Sequence, residues 1–160
     1  MTLNNQNKSF FKISYFVVCL FVMIAFDLTL TNFILHNIFV NTEGFKLIDI
    51  VYVQNTGAAF SSFQQFTPLL IILSVIAIIL IVFEFFKNVT KYSLPMYFAL
   101  AMLISGIVCN TYERITLGYV RDFLCFKSIE FPVFNISDVL INLGVLVIIV
   151  LMVTKKYKRN

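Results

Sequence analysis

Four long apolar runs set the pattern of this chain, at about residues 11–35, 68–86, 94–110 and 136–153. Each is close to the roughly 20 residues that an α-helix needs to cross a hydrocarbon core of about 30 Å. Pro68 and Pro95 stand at the start of the second and third runs, in the first helical turn, where a missing N–H costs nothing. Between the first two runs, Lys46-Leu-Ile-Asp-Ile-Val-Tyr-Val-Gln54 is β-branched and aromatic and is bracketed by Gly44 and Gly57, which reads as a strand. Gly118-Tyr-Val-Arg-Asp-Phe-Leu-Cys-Phe126, after the third run, is a second extended stretch. The pattern predicts a mainly α membrane protein: one domain over residues 1–160, with four transmembrane helices. A small extracytoplasmic β-sheet is formed from the segments between helices 1 and 2 and between helices 3 and 4.

Composition agrees with a membrane class. Of 160 residues 60% are hydrophobic and 12% charged, with a mean hydropathy of +0.93, too apolar for a soluble chain. The net charge of +4 would suggest nucleic acid in a soluble protein, but here the basic residues sit at span ends, so no nucleic-acid partner is expected. With both termini cytoplasmic, the inner side collects Lys8, Lys12, Lys87, Lys91 and the tail Lys155, Lys156, Lys158 and Arg159. The outer side keeps Lys46, Arg114, Arg121 and Lys127 and all the acids but Glu84, an asymmetry that sets the orientation. The first run exceeds a short signal h-region and reads as a retained anchor; Val18 before Cys19 is not the small residue of a lipidation site. Cys19, Cys109 and Cys125 show no CxxC spacing and His36 is the only histidine, so neither a metal nor another cofactor is expected.

Candidate chemistry gathers at one depth. Counting helix rise from the inner basic residues puts Asp27 at about 22 Å, Asn110 at about 28 Å and Asp138 at about 25 Å, all near the outer interface. A carboxylate at membrane depth is costly unless paired or hydrated, so Asp122 and Asp138 read as a pair sharing one proton, one acting as acid while the other draws a proton from water. The same residues have plainer readings. Asn135 with Asp138 resembles a helix cap, Asp122 beside Arg121 resembles a solvated charge, and Arg114 an interfacial anchor. Asn55-Thr-Gly-Ala-Ala-Phe60 permits close approach of another chain through Gly57, or is an ordinary turn. Asp27 caps or pairs locally through Asn32 or Thr31, or braces the site. Ser61, Ser62, Ser105, Ser128 and Ser137 have no Lys or His in a recognisable spacing for serine hydrolysis.

On these residues the chain resembles the lipoprotein signal peptidase (signal peptidase II) family, aspartic proteases of the bacterial inner membrane. Asn55-Thr-Gly-Ala-Ala-Phe60 meets the family's N-x-G-x-A-F. Gly106, Asn110, Arg114, Gly118, Val120, Asp122 and Phe123 meet its G-x-x-x-N-x-x-D-R-x-x-x-G-x-V-x-D-F, and Phe134, Asn135 and Asp138 meet F-N-x-A-D. The resemblance implies a catalytic Asp122–Asp138 dyad, with Asn55, Gly57, Asn110, Arg114, Asn135 and Asp27 as substrate-binding residues. It implies cleavage of diacylglyceryl-modified prolipoproteins just before the lipidated Cys, by a monomer whose site faces the periplasm or cell exterior and is blocked by globomycin-type inhibitors. Four departures stand out. Thr31 replaces the Lys of D-Q-x-T-K, Glu113 an Asp, Cys109 a Gly and Ser137 an Ala. Two further readings compete: a small transporter or channel subunit using the outer acids as a cation or proton site, and a non-enzymatic protein whose basic inner rim binds membrane lipid.

Overall fold

The computed structural model describes residues 3–38, 47–57 and 67–157. Expectations placed on Gly44, Lys46, residues 58–60, Ser61, Ser62, Lys158 and Arg159 lie outside them. Helix α1 (Leu3–Phe33) ends in a π-helical turn (Ile34–Ile38) and leads to strand β1 (Ile48–Asn55). Helices α2 (Thr67–Lys87) and α3 (Leu94–Leu117) follow, then strand β2 (Val120–Phe126) and helix α4 (Ile136–Tyr157). Four of these helices are long and apolar enough to cross a membrane, so the protein is a multi-pass membrane protein with a two-stranded antiparallel sheet at one end.

Helix α3 is the hub. It packs against α1, α2 and α4, and 61% of its most apolar window is buried, against 6% for α2 and 17% for α1 and α4. What sets α3 apart is small residues where neighbours press closest. A Cβ on Gly106 would stand 2.4 Å from the Ser137 carbonyl oxygen, and one on α4's Gly144 would stand 2.8 Å from the Leu103 amide nitrogen. The α3–α4 backbones therefore touch at two levels, as membrane helices do when dispersion rather than water expulsion drives their packing. At the end opposite the sheet an aromatic plug closes the bundle. Phe85 stacks on Phe16 at 4.4 Å and meets the Tyr97 ring edge-on at 5.2 Å, and the Tyr97 hydroxyl donates to the Val89 carbonyl. Lys12 of α1 donates to the carbonyls of Thr90 (3.2 Å) and Tyr92 (2.8 Å), tying α1 to the α2–α3 turn.

The apolar run of the sequence stops near Asn110, yet α3 continues to Leu117, because its last two turns spend their polar side chains on the sheet and the site. Gly118 ends the helix in the left-handed conformation (φ 86°), its N–H bonding the Arg114 carbonyl at 3.1 Å. The chain turns directly into β2, which pairs with β1 in the register Val53↔Asp122 and Asn55↔Val120. Phe134 then adds a bridge to Leu124, with N–H···O bonds of 2.8 and 3.0 Å, and this lays Asn135 and the start of α4 beside Asp122.

Candidate active site

Asp122 comes from β2 and Asp138 from the first turn of α4, and one residue, Asn135, joins them. The Asn135 amide Nδ2 donates to Asp122 Oδ1 at 2.9 Å, while the Asn135 backbone N–H donates to Asp138 Oδ2 at 3.1 Å. In return the Asp138 backbone N–H donates to Asn135 Oδ1 at 2.9 Å, which completes a reciprocal capping box at the start of α4. Cap and paired acid are thus one geometry. Asn110 closes the ring from α3, donating to Asp138 Oδ1 (2.9 Å) and accepting from Asn135 Nδ2 (3.0 Å). On the other side Asn55 donates to Asp122 Oδ2 at 2.8 Å and accepts the Gly57 N–H at 2.9 Å.

Asp122 is not a solvated charge. Only 2% of it is exposed, and the polar groups around its carboxyl are amides. Burial pushes the Asp122 carboxyl up to about 7; the Asp138 charge adds to this, while the Asn55 and Asn135 hydrogen bonds and the Arg114 guanidinium work against it. Arg114 reaches over the site from α3, donating to the Gly57 carbonyl (3.1 Å) and the Asn110 carbonyl (3.4 Å). Its Nε is buried and finds no partner among the described residues. That leaves one directed cationic donor beside two carboxyl groups. Among the described residues no group of three His, Cys, Asp or Glu side chains stands together as a metal site.

A second family of contacts lies just behind. Glu113 of α3 takes the Arg121 guanidinium through Nη2 (2.6 Å) and Nε (2.8 Å) on Oε1, and the Arg121 backbone N–H on Oε2 (2.7 Å). Arg121 also donates to Asn32 of α1 at 3.2 Å. Asp27 touches neither of the paired acids. It accepts from Thr31 one turn along at 3.2 Å, from the Ser137 hydroxyl of α4 and from the Cys109 thiol of α3. Of its two expected local partners Thr31 is used, and Asn32 serves Arg121 instead. Sequence reading gave no role to Arg121 or Ser137. The signal for Arg121 was Glu113 and Arg121 straddling the helix-ending Gly118, which folds one back over the other.

The family described as Signal peptidase (SPase) II matches residues 19–154, almost the whole membrane region. The chain belongs to the signal peptidase II family. Relatives named lipoprotein signal peptidase include one from Fusobacterium nucleatum, 44% identical over 68% of this chain and 64% of its own length. Another, from Streptococcus thermophilus, is 34% identical over 84% of this chain and 90% of its own, and one from Bartonella quintana is 31% identical over 89% and 86%. The fold matches a bacterial membrane enzyme solved by the in meso method at 2.3 Å, with a TM-score of 0.79, 24% identity, and 92% and 93% of the two chains covered. Against the signal peptidase II pattern, three of the four departures, Thr31, Cys109 and Ser137, converge on Asp27, and the fourth, Glu113, is the anchor of Arg121.

Proposed function

We propose that this protein is an aspartic endopeptidase that removes the signal peptide from diacylglyceryl-modified prolipoproteins, cutting before the lipidated Cys with water activated between Asp122 and Asp138. Family membership supports peptide-bond hydrolysis on lipoprotein precursors. The observation that carries the chemistry is Asn135 holding both acids in one hydrogen-bonded ring at the end of the bundle, its side chain on Asp122 and its backbone N–H on Asp138. Asp138, in the first turn of α4 with an amide and a backbone N–H on its oxygens, suits the carboxylate that takes a proton from water. Asp122 suits the acid. Water oxygen attacks the scissile carbonyl carbon as Asp138 takes its proton and Asp122 gives its own to the carbonyl oxygen; on collapse the C–N bond breaks, the proton taken by Asp138 goes to the departing amine of the Cys, and a hydroxyl of the intermediate returns a proton to Asp122 as the other product leaves with a free carboxyl. Arg114, with its free Nε, holds a substrate carbonyl, and Asn55, Gly57 and Asn110 line the approach.

The charge asymmetry supports cytoplasmic termini in a bacterial inner membrane, with the acids facing outward and the substrate's acyl chains remaining in lipid. The protein acts as a monomer and globomycin-type cyclic peptides compete for its site. The test is purified protein in detergent with a fluorescent diacylglyceryl peptide. Asp122→Asn and Asp138→Asn each bring cleavage to background, globomycin inhibits the wild type, and the unlipidated peptide is not cut. Wild-type cleavage by either variant overturns the dyad.

A further inference from the structure

Helix α4 begins with Ile136, Ser137 and Asp138, so the residue before the paired acid lies within the helix's first turn. Two other helices hold that residue. Its carbonyl oxygen rests against Gly106 of α3, where any Cβ would collide at 2.4 Å. Its hydroxyl donates to Asp27 of α1, and this is the one side-chain hydrogen bond between α1 and α4 among the described residues. Ser137 and Asp27 are 4% and 3% exposed, so no water competes for the bond. The second Asp27 oxygen is taken by Thr31 of the same helix, which fixes the carboxyl's orientation toward α4. Apart from this bond α1 and α4 have little contact, since α3 lies between them. The chemistry above uses neither Asp27 nor Ser137.

We propose that Ser137 is a positioning residue: its hydroxyl, anchored on Asp27, sets the rotation of the first turn of α4 and so aims the Asp138 carboxyl at the shared water. Asp27 works here as an acceptor on a rigid post, and its charge is not needed. The proposal rests on the dyad reading above. A 1 Å displacement of a reacting group costs up to about a hundredfold in rate, whereas a lost tether beside an intact capping box displaces it by less. Ser137→Ala therefore lowers kcat about tenfold with KM unchanged, because the Arg114 and Asn55 contacts to substrate stay in place.

Rescue separates positioning from charge. Asp27→Asn keeps an oxygen for the Ser137 hydroxyl, while its amide hydrogens turn to the Thr31 oxygen and the Cys109 sulfur; its kcat falls by less than that of Ser137→Ala. Ser137→Ala/Asp27→Asn matches Ser137→Ala alone, since both changes act on one bond. The experiment compares these three variants with wild type and Asp138→Asn on the fluorescent diacylglyceryl peptide, at a temperature below the thermal transition of each. Wild-type kcat in Ser137→Ala overturns the positioning role. A fall in Asp27→Asn as large as that in Ser137→Ala overturns the acceptor role and assigns the effect to the charge. Cleavage by Asp138→Asn instead removes the dyad reading itself, a result visible independently of the other two.

Discussion

Gly106→Ala is the sharpest probe of how helix packing reaches the chemistry. The added methyl would sit 2.4 Å from the Ser137 carbonyl oxygen and 2.7 Å from a side-chain carbon of Ile141, against 3.4 Å or more for ordinary contact. The oxygen belongs to α4's backbone and cannot swing aside, so α3 and α4 must part by about 1 Å at this level. Overpacking of this kind costs about 1–3 kcal/mol in stability. Here the shift falls one residue from Asp138 and one turn from Asn110, so the Asn110–Asp138 bond of 2.9 Å is stretched and kcat drops about a hundredfold. Gly144→Ala is the control. Its methyl would meet the Leu103 nitrogen at 2.8 Å and the Ala99 oxygen at 2.9 Å, but six residues further along α4, about 9 Å from Asp138. It lowers stability by a similar amount and kcat by less than about threefold. Thermal unfolding in detergent and kinetics on the fluorescent diacylglyceryl peptide measure both. The reasoning fails if Gly106→Ala retains wild-type kcat, or if Gly144→Ala loses as much activity as Gly106→Ala.

Because Asp122 is raised to about 7, its proton is held below that pH and lost above it, so kcat/KM falls with rising pH, about tenfold per unit on the alkaline side; a profile flat to pH 9 contradicts the assignment of Asp122 as the acid. Glu113→Ala strands the Arg121 guanidinium, whose side chain is 20% exposed, and costs about 3 kcal/mol; denaturant unfolding in mixed micelles that moves by less than about 0.5 kcal/mol rules out an anchoring role. Tyr97→Phe removes the hydroxyl that serves the Val89 carbonyl in the aromatic plug and costs about 1–2 kcal/mol of stability, with kcat unchanged because the plug is at the opposite end from the acids; a kcat effect would show coupling along the full bundle.

The membrane class and the two strands were legible because they rest on local rules: run length for the helices, β-branching between glycines for the sheet. The depth count from inner basic residues brought Asn110 and Asp138 to one level, since helix rise needs no tertiary knowledge. What no spacing rule supplied was lateral placement. Asp122 reaches Asn135 only because Gly118 turns the chain sharply and Phe134 pairs with Leu124, a contact ten residues along the chain with no sequence signature. The burial of Asp122 follows from the same pairing, and a carboxyl next to an arginine looks solvent-facing until Arg121 is seen committed to Glu113. The extension of α3 past its apolar run was hidden for a related reason. Its last turns are polar because their partners, Asn135, Arg121 and Gly57, come from elsewhere in the chain.

Asp138 secures the start of its own helix with Oδ2 of the carboxyl that the proposed hydrolysis uses. Truncating it to Ala therefore does two injuries at once, unravelling the opening turn at about 1 kcal/mol and deleting the reagent. An Asn keeps an oxygen for the waiting backbone N–H and changes the chemistry alone. Any selection for a sturdier helix beginning would meet the same constraint, because Gln, a usual residue at this third position of a capping box, would keep the helix start while removing the carboxyl that the proposed reaction needs.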